Sequence, residues 1–290
     1  MRRAGFLGGT AALLLARPAG AQTIVVDDLV DRFEGVVGIY SRTLAPGMAP
    51  SVSVRAGEAF AAASVIKLPI MLTVFRAYDA GTATPQDEVV LLPGDIIGGA
   101  PILGDANSGD RWKIGTLVNA MIRYSDNIAS NALISHFGFA AINATIRDAG
   151  MTGTTLARHF ADVVPPGRRN LNVTTPRDIG TLLYAIERGA HEGVASVATA
   201  ASCRAMIQIM LGQQYREMIP AGIHRKVQIA NKTGELDFTR NDAAIVDPFG
   251  EAPYILVILT RELEYPGLAY GDIAAIAHRI DAGMPHTAKS

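Results

Sequence analysis

Three short stretches bring together residue types suited to acyl transfer. In AAASVIKLPI, residues 61 to 70, Lys67 stands three positions after Ser64 in otherwise apolar surroundings. Burying an unpaired ammonium is costly enough to drive it towards the neutral amine. A neutral amine is a base, and residues three apart on a helix share a face, with Cβ atoms roughly 5–6 Å apart. Lys67 is thus placed to take or relay the proton of the Ser64 hydroxyl, and a helix opening at Ser64 would favour negative charge there. The same residues also suit a capping serine followed by a lysine that snorkels out of an amphipathic helix. Pro69 falls beyond the first turn of such a helix, which predicts a local irregularity.

The second stretch is Tyr124-Ser125-Asp126-Asn127. Ser, Asp and Asn are all good N-caps for the apolar run that follows. As chemistry, Ser125 would pass a proton to a leaving nitrogen and Asn127 would hydrogen-bond a substrate amide. The third, Lys232-Thr233-Gly234, ends a β-rich run. It reads either as a strand edge with a glycine turn or as an edge that holds an extended substrate. In the second case Lys232 and Thr233 bind its carboxylate, and a backbone N–H just after Gly234 faces a developing oxyanion.

The elements that must position these groups follow from the hydrophobic pattern. Residues 28 to 34 read as a helix, and 36 to 44 and 51 to 57 as strands joined by APGMAP. A helical pattern from Ser64 ends near Gly81. Residues 94 to 111, GDIIGGAPILGDANSGDR, form a glycine-rich connection without the Gly-Lys-Ser/Thr ending of a phosphate loop, so they read as a surface loop. Helices follow at 114 to 123, 128 to 137, 141 to 149, 178 to 188 and 201 to 211. Strands return at 227 to 234, 243 to 247 and 254 to 260, and 272 to 281 closes as a helix. Strands at both ends with helices between predict one discontinuous domain interrupted by a helical one.

Composition narrows the function classes. With 290 residues, 49% hydrophobic and 18% charged, the chain can bury a large core. A net charge of -1 and the lack of any basic run give no reason to expect nucleic acid. Arg2 and Arg3, an apolar run from 4 to 16, and Ala19-Gly20-Ala21 follow the order of a secretory signal peptide over residues 1 to 21. Its removal takes three arginines and no acid, leaving a net charge of -4 and no membrane-surface patch. Cys203 is the only cysteine, so an internal disulfide is impossible. The six histidines, His136, His159, His191, His224, His278 and His286, form no ligand-spaced pair, and no metal is expected. Helix faces carry no obvious exposed apolar seam, which fits a monomer.

In order, Ser-x-x-Lys, Ser-Asp-Asn and Lys-Thr-Gly stand with their first residues 61 and 107 positions apart. The trio resembles that of class A β-lactamases and penicillin-binding proteins. ASVIKLPIML, TLVNAMIRYSDNIASNALI, AGMTGTTLAR, NVTTPRDIGTLL and IANKTGELDFTRNDAAIV extend the similarity over about residues 28 to 282. The resemblance implies an α+β, β-lactamase/transpeptidase-like fold: an antiparallel sheet flanked by terminal helices, plus an inserted all-α domain. The sheet domain would comprise residues 22–62 and 212–290 and the all-α domain 63–211, with the active site between them.

It also implies roles. Ser64 would be the nucleophile and Lys67 the amine that moves its proton with Ser125. The N–H groups of Ser64 and Glu235 would form the oxyanion hole, and Asn127, Lys232, Thr233, Gly234, Glu235 and Arg240 would bind substrate, with no cofactor. The substrate would be a small-molecule β-lactam or a peptidoglycan-like amide or ester, met in the periplasm or outside the cell.

One departure bears on turnover. Class A β-lactamases carry Arg-x-Glu, with an asparagine four residues after the glutamate, to hold the water that frees the acyl group. Anchoring on the arginine gives Arg158-His159-Phe160, with Val164 at the asparagine position; counting back from Thr174-Thr175-Pro176 puts His159 at the glutamate position. No glutamate lies between Met151 and Thr175, and Asp162 is the only acid there, hence the candidate substitute base. His159, an imidazole and so a residue type that serves as a general base, is a second candidate. Glu235 stands where the family commonly has a small residue, with Arg240 available to offset its charge. Acylation thus has its full residue set and deacylation does not. A penicillin-binding or cell-wall-sensing domain, or a DD-peptidase- or esterase-like hydrolase acylated without efficient β-lactam turnover, stands as the alternative.

Overall fold

The computed structural model describes residues 24–44, 50–160, 172–193 and 197–285; the expected signal segment and Asp162 lie outside them. In chain order the elements are α1 (Asp27–Val30), β1 (Val36–Thr43), β2 (Val52–Val54), β3 (Phe60–Ala61), α2 (Lys67–Asp79), β4 (Glu88–Val90), β5 (Arg111–Lys113) and α3 (Ile114–Arg123). Then come α4 (Asn127–Phe137), α5 (Phe139–Asp148), β6 (Val173–Thr174), α6 (Pro176–Glu192), α7 (Ala200–Leu211) and α8 (Ile219–Gly222). The chain closes with β7 (Ile229–Leu236), β8 (Thr239–Val246), β9 (Tyr254–Arg261) and α9 (Ala269–Gly283). Short 3-10 turns occupy Ala63–Ile66 and Pro93–Asp95.

The α+β arrangement expected from the sequence is present. Five strands form an antiparallel sheet in the order β2-β1-β9-β8-β7. The central strand β9 is apolar at nearly every position because both its faces are covered. Ile255, Val257 and Leu259 join the core shared with α2, α3, α4, α6 and α7, whereas Tyr254, Leu256 and Ile258 join the core under α9. Side chains alternate along a strand, so one strand serves two cores. On α6, Pro176 takes the first turn and Thr175 caps it by accepting the Asp178 N–H. A Cβ on Gly180 would fall 2.3 Å from the Tyr40 ring, so glycine lets α6 lie close on β1.

Two expectations need correction. Helix α2 begins at Lys67, not Ser64, so Pro69 sits inside the first turn, where a missing N–H costs nothing. The irregularity instead precedes it, as the 3-10 turn carrying Ser64. The glycine-rich connection is not a plain surface loop. Asp95 and Leu103 within it are buried, and the N–H groups of Ile102 and Leu103 donate to Asp126 Oδ2 at 3.0 and 2.9 Å. Among the described residues, no helix is long and apolar enough to cross a membrane.

Glu187 of α6 is fully buried; its Oε1 accepts the Phe249 N–H at 3.3 Å, and its Oε2 has no hydrogen-bond partner among the described residues. Burial pushes this carboxyl up to about 7, with the Phe249 hydrogen bond opposing and Asp247 adding to the rise. Between the ordinary carboxyl range and that value, the folded chain holds a proton that the unfolded chain releases. Stability from this group is therefore present at low pH and lost as pH rises through about 7. Glu187→Gln is expected to be more stable than the wild type at pH 8 by about 2 kcal/mol, with no gain near pH 4. Thermal melts at the two pH values check this.

Candidate active site

Ser64 lies in the 3-10 turn Ala63–Ile66, where three residues complete a turn and positions three apart eclipse. Ser64 and Lys67 are thus stacked more directly than on an α-helix, and the Lys67 N–H bonds back to the carbonyls of Ser64 and Val65. The preceding Ala63 has φ +46°, a left-handed conformation that is strained for a residue with a side chain. Strand β7 runs past this turn at very short range. A Cβ on Gly234 would lie 2.8 Å from the Ser64 nitrogen and 3.0 Å from that of Val65, so glycine is needed for the approach.

Ser125 stands between two ammonium groups. Its Oγ is 3.2 Å from Lys67 Nζ and 3.1 Å from Lys232 Nζ. Its left-handed φ of +57° turns it into this position. The next residue, Asp126, is structural: Oδ1 caps α4 by accepting the Ala129 N–H, and Oδ2 ties down the loop at Ile102 and Leu103. Lys67 Nζ also donates to Ser125 O at 2.6 Å and to Asn127 Oδ1 at 2.7 Å, while Lys232 Nζ donates to Thr233 O at 2.7 Å. Three donors exhaust an ammonium. Among the described contacts none joins Lys67 to the Ser64 hydroxyl, so the amine acquires a lone pair for it only by losing a proton.

Both lysines are fully buried. Burial, reinforced by the Lys232 charge and opposed by Asp126, holds Lys67 well below the usual lysine range. Burial brings Lys232 down to about 7, with Asp242 and Glu235 opposing the shift. Asp242, on the neighbouring strand, is itself pushed up to about 6 by burial.

A cleft of about 450 Å³, open to solvent, is lined by Ser64, Asn127, Arg158, His159, Phe160 and Glu235 among others. Thr233 and Gly234 follow Lys232 along β7. Glu235 and Arg240 are cross-strand partners and so face the same side of the sheet, 3.8 Å apart. Arg240 Nη1 donates to the carbonyls of Leu236 and Thr239, and its guanidinium lies 5.4 Å from the Tyr270 ring. Arg240 thus holds its own hairpin, on the side of the sheet that carries the cleft residue Glu235. Asp162 lies outside the described residues.

Phe160 has a place that residue type alone does not announce. Its ring centroid is 4.4 Å from Lys67 Nζ, within cation–π range. Asn131 fixes the Phe160 backbone from both sides, accepting its N–H at 2.8 Å and donating to its carbonyl at 3.3 Å. The available signal was the match of Arg158-His159-Phe160 to Arg-x-Glu, which puts this ring at the glutamate position. Asn172 similarly holds the preceding segment, accepting the N–H groups of Ala157 and Arg158. Sequence spacing also concealed His224 and His278, whose ring centroids are 4.3 Å apart. Among the described residues, no group of three or more His, Cys, Asp or Glu is placed to hold a metal ion.

Comparison with known proteins places these features in context. The model of the beta-lactamase enzyme family matches residues 23–281. The beta-lactamase of Mycobacterium tuberculosis (strain ATCC 25177 / H37Ra) is 28% identical over 261 residues, covering 84% of this chain and 81% of that protein. A mutant of PBP-A, solved as an acyl-enzyme complex with penicillin G, is similar with TM-score 0.78 and 26% identity, covering 90% of this chain and 94% of that chain. The beta-lactamase from Sphaerobacter thermophilus DSM 20745 gives TM-score 0.74 and 28% identity, covering 85% of this chain and 90% of that chain.

Proposed function

This chain belongs to the beta-lactamase enzyme family and is a serine hydrolase of it, and from that premise we propose that Ser64 is acylated by β-lactams or related amides and esters, with slow release of the acyl group. The observation that carries the reading is the Ser125 hydroxyl held within 3.2 Å of both lysine ammonium groups. Neutral Lys67 takes the Ser64 proton as Oγ attacks the carbonyl, and Ser125 passes a proton to the leaving nitrogen. The N–H groups of Ser64 and Glu235 receive the oxyanion. Lys232 and Thr233 hold the substrate carboxylate, and the Asn127 amide nitrogen, whose oxygen is committed to Lys67, donates to the substrate. Slow release follows from Phe160, which covers Lys67 with an apolar ring where a base would be useful. Residues 1–21 direct export to the periplasm or beyond, where such substrates are met.

The test uses the mature protein and a chromogenic cephalosporin in excess, with turnover followed by absorbance and the adduct by intact mass. A mass increase on Ser64 and slow turnover, both lost in Ser64→Ala, are expected. A stable adduct without any turnover would instead favour the penicillin-binding reading. Neither adduct nor turnover would refute acylation by this substrate class.

A further inference from the structure

We propose that the Glu235 side chain selects substrates that carry a cationic group beside their carboxylate, of the pyridinium or quaternary ammonium class. The proposal rests on Ser64 being acylated, as argued above. Position along the strand gives Glu235 this role. Residues two apart on a strand share a face, so its side chain follows that of Thr233 on one side of β7, about 6.6 Å further on. Glu235 and Ser64 line the same cleft. With the substrate carboxylate held at Lys232 and Thr233, a group bonded next to that carboxylate comes within reach of Glu235.

The charge of Glu235 is only weakly matched inside the protein. Its cross-strand partner Arg240 stands 3.8 Å away, too far for a hydrogen bond. Arg240 Nη1 is committed to the carbonyls of Leu236 and Thr239 at 2.7 and 2.8 Å. Its Nε has no hydrogen-bond partner among the described residues. Exposure divides the pair, because the Glu235 side chain is 42% exposed and that of Arg240 17%. The carboxylate is thus the end that a substrate meets. Its field also reaches inwards: burial lowers the Lys232 pKa, and Asp242 and Glu235 oppose that shift.

This charge works against a substrate whose only charge is its carboxylate. A cation beside that carboxylate offsets the repulsion with an attraction, and both strengthen where the bound substrate displaces water. Leu236, 39% exposed, lines the cleft next to Glu235 and adds an apolar surface. A flat or alkylated cation suits that combination better than a compact, strongly hydrated ammonium. Arg158, from another segment, brings the opposite charge to the lining, so the test varies Glu235 while Arg158 stays in place.

The test compares two cephalosporins with the same acyl side chain. One carries an uncharged acetoxymethyl group, the other a pyridiniomethyl group, on the carbon next to the one bearing the carboxylate. Acylation rate constants are measured on the mature protein by competition with a chromogenic cephalosporin, at low and at high salt. The two compounds differ in intrinsic reactivity, so the readout is the ratio of their rate constants, cationic over uncharged. In Glu235→Gln that ratio is expected to fall by at least about fivefold at low salt. Glu235→Asp, which keeps the charge, should stay closer to the wild type than to Glu235→Gln. The gap between wild type and Glu235→Gln should narrow at about 0.5 M salt, where charges on an open cleft are screened. A ratio left unchanged by Glu235→Gln would overturn the proposal, as would a fall that Glu235→Asp reproduces in full or that salt does not affect. Equal losses with both compounds would also overturn it, since the side chain would then only support the strand. Absence of any wild-type adduct or turnover with either compound would instead overturn acylation itself, and this assignment with it.

Discussion

Phe160→Glu is expected to accelerate release of the acyl group by about 100-fold and to slow acylation at the same time. The backbone of residue 160 is clamped by Asn131 at both its N–H and its carbonyl, so the substituted side chain must leave from the same point. The phenyl ring there already reaches 4.4 Å from Lys67 Nζ and lines the cleft beside Ser64. A carboxylate in its place can contact both the Lys67 ammonium and a water approaching the acyl carbon. The benefit to deacylation is that of an added general base. The cost to acylation comes from charge: an anion beside Lys67 favours the ammonium, so its pKa rises and the acid limb of the acylation profile moves to higher pH. Single-turnover kinetics with a chromogenic cephalosporin separates the two steps. Unchanged deacylation in a variant that melts like the wild type would show that position 160 does not face the reacting water.

Much of this machinery was legible because acyl chemistry restricts residue types and their order. Ser64, Lys67, Ser125 and Lys232 could be read as one set, and the fully apolar β9 follows from burial on both faces. What the sequence did not disclose depends on direction. Nothing in SVIK says that Lys67 turns its donors to Ser125 and Asn127, an outcome that requires the left-handed backbone at Ser125. For Arg240 the sequence did not disclose that its Nη1 donates to the carbonyls of Leu236 and Thr239 in its own hairpin, across the strand from the cleft residue Glu235. Asp126 lies within a catalytic-looking motif yet serves to cap a helix and anchor a loop. Asn127, Asn131 and Ser135 have helical spacing on α4, but only the fold reveals that they meet Lys67, Phe160 and Asp95.

Lys67→Met should reduce acylation by at least 1,000-fold while changing how stability depends on pH. Methionine keeps much of the lysine stem's volume and removes the amine, so Ser64 loses its proton acceptor and Ser125 one of its two cationic neighbours. Burial is what brings Lys232 down to about 7, with no contribution from Lys67, so Lys232 should titrate in the variant where it does in the wild type. For stability the sign is set by burial. The Lys67 pKa is held well below the ordinary lysine value in the folded state, so over the interval between them the unfolded chain holds a proton that the folded chain has lost. Wild-type stability from this group therefore rises with pH up to the ordinary lysine value and is depressed below the folded one. The variant lacks that rise. Losing the donors to Ser125 O and Asn127 Oδ1 costs about 1–3 kcal/mol at every pH, but contributes no slope. Relative to the wild type, Lys67→Met should thus be most favourable at acid pH, below the folded Lys67 value, and least so near pH 10, as read by chemical denaturation. Parallel stability profiles would mean that Lys67 is not buried as a depressed amine, and an acylation rate close to wild type would remove it from the proton path.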